Sequence, residues 1–279
     1  MESDMSQAFQ EELKCLICLS TLTDPVTMSC GHSFCRACLH LSWEDFQLPI
    51  HCPMCREPSQ QKDFRTNMVL EKLVSIARQE SLRRDLSSEE HKCVTHGETR
   101  RIFCADKRIY LCPLCSDSHD RGHTHCPVEA AAEDQMESLL KQMARVWEKI
   151  QDNQENIEAE KRTVTLWKDY LTLREDMVRA EYRKLHPVLG VEEEQHIESL
   201  RNEGQCVLEK LRKSEALMLQ DSRQLREIYQ ELMEMSQEPY MVLLQGSDDI
   251  LGRSESMQLH MAPTMKPELS ALPITGLTE

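Results

Sequence analysis

Residues 15–56 read CLICLSTLTDPVTMSCGHSFCRACLHLSWEDFQLPIHCPMCR, and eight soft ligands stand in them as Cys15-x2-Cys18-x11-Cys30-x-His32-x2-Cys35-x2-Cys38-x13-Cys52-x2-Cys55. Three C-x2-C pairs and one C-x-H pair each set two donors on a tight turn, where thiolate and imidazole can share a tetrahedral Zn2+. Eight such ligands predict two bound zinc ions. A closed shell of four protein ligands leaves no position for an activated water, so these metals hold a fold rather than perform chemistry.

Outside that stretch the chain sets further bounds. It has 279 residues, of which 5% are aromatic and 29% charged. This composition suits small metal-stapled modules joined to charged helices better than one large core. The opening MESDMSQAFQEELK is acidic and polar, with no signal-peptide apolar run, and no stretch of about 18 apolar residues is present to cross a membrane. A reducing compartment is expected, the cytoplasm or the nucleus, where clustered thiols serve as zinc ligands rather than disulfides. The net charge of −15 lacks the basic stripe that grips phosphates, so a protein partner is expected and no nucleic acid.

The first module is expected over residues 1–80. Ala8, Phe9 and Leu13 before the cysteines, and Met68, Val69, Leu70, Leu73, Val74 and Ile76 after them, suit short amphipathic helices that pack together or on a second copy. Asn67 is the N-cap expected for the second of these. Residues 81–90 are polar and read as a linker.

A second metal cluster follows over residues 91–127: Cys93-x2-His96-x7-Cys104-x7-Cys112-x2-Cys115, then His119, His123 and His125. The close pairs Cys93 with His96 and Cys112 with Cys115 make one quartet. Another site must draw on Cys104, an oxygen or nitrogen ligand and two of the late histidines.

From residue 128 to about 239 the pattern becomes helical. Met136, Met143, Ile150, Ile157, Val164, Leu171, Val178 and Leu185 recur at seven-residue intervals, which specifies a coiled-coil seam. The second seam position is mixed: Leu139, Val146 and Trp167 are apolar, whereas Asn153, Glu160 and Arg174 are polar and able to set register. His186-Pro187-Val188-Leu189-Gly190 interrupts the pattern, and a second apolar series then runs from Ile197 through Leu211, Met218 and Leu225 to Met235. Pro removes a backbone donor and Gly weakens a helix, so residues near 187 form either a kink or the bend of a hairpin. Residues 240–279 read as a short helix and a linker tail. The expected fold class is thus small zinc-stabilised α+β modules followed by a long all-α coiled coil.

In this order the modules resemble the tripartite motif family: a RING finger, a type 2 B-box and a coiled coil, with the resemblance covering about residues 10–240. It implies a cross-brace in the RING, pairing Cys15, Cys18, Cys35 and Cys38 at one zinc and Cys30, His32, Cys52 and Cys55 at the other. It also implies ubiquitin ligation. A RING ligase holds a charged ubiquitin-conjugating enzyme so that a substrate lysine attacks its thioester, a proximity effect with no covalent intermediate on the ligase. On this sequence the conjugating enzyme would meet Leu16, Ile17, Pro53 and Met54, and Arg56 would be the linchpin cation bridging enzyme and ubiquitin.

The B-box departs from the family pattern. Lys107 stands where the family has Asp or Cys, and the histidine spacing is altered. The first B-box zinc is assigned to Cys93, His96, Cys112 and Cys115, and the second to Cys104, Asp106, His119 and His123, with His125 as a substitute. The resemblance further implies an antiparallel coiled-coil dimer whose helix continues past Pro187 with a kink, and a sequence that stops before the family's SPRY-type receptor, with the protein substrate unspecified. A non-catalytic scaffold that assembles with full-length relatives is the alternative function.

Overall fold

The computed structural model describes residues 11–42, 50–59, 65–118, 122–184, 189–258 and 264–265. The expected helix around Ala8 and Phe9 lies outside them. The zinc-finger segment forms two small hairpins. Strands β1 (Pro25–Thr27) and β2 (Ser33–Cys35) pair antiparallel, and helix α1 (Arg36–Ser42) follows directly. Strands β3 (Ile50–His51) and β4 (Pro58–Ser59) form the second pair. Leu13, Leu22, Val26, Phe34 and Leu39 fill the interior together with Cys15, Cys35, Cys38 and Cys52. So small an apolar core cannot stabilise the module unaided, and the metal sites must supply the rest.

Helix α2 (Met68–Leu86) starts at Asn67, whose side chain accepts from the amides of Val69 and Leu70 as a cap should. The helix runs six residues into the expected 81–90 linker. The reason is burial: Leu82 and Leu86 lie on one face, four residues apart, at 1% and 3% exposure. A single 3-10 turn, Glu89–His91, then leads to the second module. There β5 (Ile102–Cys104) is flanked by β6 (Ile109–Leu111) and β7 (His125–Pro127) in an antiparallel sheet, with α3 (Pro113–Ser118) after β6.

Among the described residues three helices follow: α4 (Val128–Lys184), α5 (Gly190–Gln237) and α6 (Tyr240–Gln258). The molecule divides into two compact units. The first holds both zinc modules, the beginning of α4, the end of α5, and α6. Its helices bury Leu139, Val146, Tyr229, Leu232, Leu243 and Leu244. Gln135 donates to Ser247 at 2.6 Å and Gln142 to Ser254 at 2.7 Å, two polar rungs one heptad apart, the first part-buried and the second buried, that fix the register of α6 on α4.

The second unit holds the rest of α4 and α5. Asn153 donates to the Met218 carbonyl, the Trp167 indole to the Gly204 carbonyl, and Arg201 to the Glu175 carboxylate. Partners that lie later on one helix lie earlier on the other, so the two run antiparallel. The kinked continuous helix expected near residue 187 is therefore corrected to a hairpin. Both helices carry an apolar stripe, and doubling back buries one stripe on the other, which a single kinked rod could not do. Gly204 permits a close approach: a Cβ there would lie 2.5 Å from the Leu171 methyls. Met265 of the tail also packs on this unit, against Val164, Trp167, Leu208 and Leu211.

Candidate metal centres and exposed surface

The turns that carry the ligands share one backbone device. Leu19, Arg56, Gly97 and Arg108 all have positive φ, from 53° to 69°. Each sits four residues after a ligand cysteine and returns its N–H to that cysteine's carbonyl: Leu19 to Cys15, Arg56 to Cys52, Gly97 to Cys93 and Arg108 to Cys104, at 2.8 to 2.9 Å. The left-handed residue turns the chain sharply enough to bring the ligand three residues on, Cys18, Cys55 or His96, beside the first. At Cys104 the same knuckle forms, and the equivalent position is Lys107.

Four groups of donors converge, each with ligand atoms within 4.8 Å of one another. Cys15, Cys18, Cys35 and Cys38 make the first. Cys30, His32, Cys52 and Cys55 make the second. This interleaving is the cross-brace that the family resemblance implies. Cys93, His96, Cys112 and Cys115 make the third, the first B-box quartet. The fourth contains Cys104, His123 and His125. His119 lies outside the described residues. Asp106 is not in the fourth group; its carboxylate accepts the Thr124 amide at 2.7 Å. His125, foreseen only as a substitute, takes the place beside Cys104.

The donors fit zinc by their own chemistry. In the first group, hydrogen bonds from Cys18, Cys35 and Cys38 drive the Cys15 thiol far down, while the same crowding drives Cys35 and Cys38 far up. Four sulfurs this close cannot all ionise without a cation among them. In the third group the backbone amides of His96 and Thr95 pull the Cys93 thiol down to about 6. In the fourth, His125 Nδ1 lies 2.9 Å from the Ser116 hydroxyl and its Nε2 is buried without a hydrogen-bond partner. A hydroxyl holding one ring nitrogen while the other is left without a protein partner is the arrangement of a metal-ligating histidine. These sites would hold structural Zn2+, which would tie distant segments together when bound.

The proposed docking residues are accessible. Leu16 is 43% exposed and Met54 53%. Pro53 and Arg56 are also exposed, whereas Ile17 is half-buried and packs on the zinc-module core. Leu16 and Ile17 lie in the Cys15 knuckle and Pro53 and Met54 in the Cys52 knuckle, with Arg56 at the latter's left-handed turn.

Sequence reading missed a cluster on the other elements of this module. His40 stacks on Trp147 with ring centroids 3.8 Å apart and shares a 2.7 Å hydrogen bond with the Tyr229 hydroxyl. Burial lowers the His40 pKa to about 3, so the ring is neutral. Arg78 donates to Thr23 Oγ1 at 2.7 Å and to the Ser236 carbonyl at 3.0 Å. These contacts seat the first zinc module on α4 and α5. Their only sequence signal is that single aromatic and cationic residues sit at otherwise unremarkable helical positions.

Comparison with known proteins agrees with this geometry. Residues 15–56 match the family model described as a RING-type zinc-finger. Over its whole length the chain is similar to human tripartite motif-containing protein 49D at 47% identity and human tripartite motif-containing protein 51 at 43%. Mouse tripartite motif-containing protein 43B is 46% identical. In each case the match takes in all of this chain but only 62 to 63% of the relative.

Proposed function

We propose that this chain, which matches the tripartite motif family from end to end, is a RING-type ubiquitin-protein ligase. The observation that carries the reading is the exposure of Leu16, Pro53, Met54 and Arg56 on two zinc knuckles of one module. An apolar shelf with a cation at its edge suits a conjugating enzyme, and a guanidinium can bridge that enzyme and its bound ubiquitin through several fixed donors. The ligase contributes orientation: it lowers the entropic cost of bringing the thioester and a substrate lysine together.

Auto-ubiquitination with a panel of conjugating enzymes tests this. Ile17→Ala and Arg56→Ala are expected to reduce chain formation by about tenfold or more, in line with the loss of an anchor contact, while zinc content stays at the native value. Absence of chain formation by the native, zinc-loaded protein overturns the reading.

A second reading, a non-catalytic scaffold, is favoured by the apolar residues the hairpin leaves exposed, Leu166, Leu173 and Met177 on α4 and Leu217 on α5. In either case we expect self-association through these helices as an antiparallel dimer, checked by light scattering. No helix among the described residues is long and apolar enough to cross a membrane. The many free thiols suit the cytoplasm or nucleus, which imaging of the tagged protein checks.

A further inference from the structure

Arg78 is a half-buried cation with no carboxylate partner among the described ion pairs. Its hydrogen bonds go to two neutral oxygens, Thr23 Oγ1 and the Ser236 carbonyl, and its Cζ lies 5.8 Å from the centre of the Tyr240 ring. Two negative fields face it. The first is the C-terminus of α5, the negative end of its helix dipole, whose own last turn carries no basic residue. The second is the first zinc group. When loaded, four thiolates on one Zn2+ retain a net double negative charge, more than any Cys3His site carries.

Thr23 connects the two fields. Its amide donates to Cys35 Sγ at 3.2 Å, and its hydroxyl accepts from Arg78 and donates to the Ser236 carbonyl at 3.3 Å. Cys38 Sγ lies 3.9 Å from Met233 Sδ on the same helix. Apolar packing at the join is partial: Met233 and the His40–Trp147 stack close one side, while a cavity of about 360 Å³ opens beside Arg78, lined by Leu22, Val74, Arg78, Met136, Leu140 and Tyr240. The polar contacts therefore carry part of the docking. Among the described residues, no contact of this kind runs from the Cys30, His32, Cys52 and Cys55 group to the helices.

We propose that Arg78 is an electrostatic link between the first RING metal site and the end of α5, so that seating of the RING on the helices depends on the charge of that site and not on the charge of the second. Zinc at the first site recruits the guanidinium, and the guanidinium holds α5 and Tyr240 against the module. Coupling of this kind is reciprocal, so docking in turn tightens that one zinc.

Hydrogen exchange on the full chain, with metal counted by native mass spectrometry, tests the link without reference to ligase activity. Arg78→Met keeps the side-chain length and removes the charge. It is expected to keep all RING zinc at saturating metal and to lose about tenfold of the amide protection over residues 233–244. It should also release one zinc earlier than native protein during chelator titration. Cys18→His converts the first site to Cys3His, halves its net charge while keeping four ligands, and should give a smaller loss over the same segment. Cys55→His, at the second site, likewise removes one negative charge while keeping four ligands, and should leave residues 233–244 protected. Native protection in Arg78→Met, or exposure of the segment in Cys55→His equal to that in Cys18→His, overturns the proposal.

Discussion

Lys107 and Asn153 each stand where the local pattern calls for another residue, and the two regions handle the departure differently. At Lys107 the backbone knuckle of Cys104 forms unchanged, with Arg108 in the left-handed turn. What is lost is a donor, and the described group is completed only as far as Cys104, His123 and His125. At Asn153 the seam closes over the amide at 1% exposure. Its nitrogen finds the Met218 carbonyl at 2.8 Å while its oxygen stays unpaired. A metal site counts ligands, and each missing one removes a discrete bond. A helical seam averages over many contacts, so one poor layer is tolerated and can be used to choose a register.

That contrast can be broken by experiment. The largest effect is expected from Cys35→Ser, which removes a buried ligand of the first group. The RING should lose its cooperative unfolding transition, since ligand binding and folding are one event in such modules. Circular dichroism with metal analysis checks it, and an intact transition with one zinc fewer would contradict the ligand-counting view. Lys107→Cys should act in the opposite direction. Restoring the second position of a knuckle that already has its geometry is expected to tighten zinc at the Cys104 site by about tenfold to a hundredfold, read by competition with a chromophoric chelator.

In the seam, Asn153→Leu removes a half-satisfied buried amide and should raise helix stability by about 1 to 2 kcal/mol. The accompanying loss of register specificity would show as extra oligomeric species. The smallest effect belongs to Asn67→Ala. Loss of the cap on α2 is expected to cost about 1 kcal/mol, seen as a small shift in the thermal transition with zinc content unchanged.

The zinc groups were legible because ligand chemistry is local. A C-x2-C turn positions its own sulfurs, so the RING quartets and the first B-box quartet could be drawn from spacing and resemblance. The heptad run was legible for the same reason: residues seven apart lie on one stripe whatever they meet. What they meet was not. The hairpin, the Gln135–Ser247 and Gln142–Ser254 rungs and the His40, Trp147 and Tyr229 cluster join residues more than a hundred positions apart or across a chain reversal. Nothing in a local window distinguishes Arg78 from the other surface cations of its helix. Helix α2 outran its expected end because the polar look of residues 81–90 hid Leu82 and Leu86, whose spacing matters more than the average composition. Asp106 suits the Cys104 site by charge and by proximity in sequence, whereas the fold turns its carboxylate to the Thr124 amide.

Gly204 has one more consequence. The notch it opens receives Leu171, and its carbonyl receives the Trp167 indole. Knob and notch sit on different arms of one hairpin, and the arms are antiparallel. If two copies exchanged arms, each would offer its tryptophan to the other's glycine and regenerate the same seam. The seam itself would then be indifferent to whether it joins one chain or two. Protein concentration would decide which form is populated.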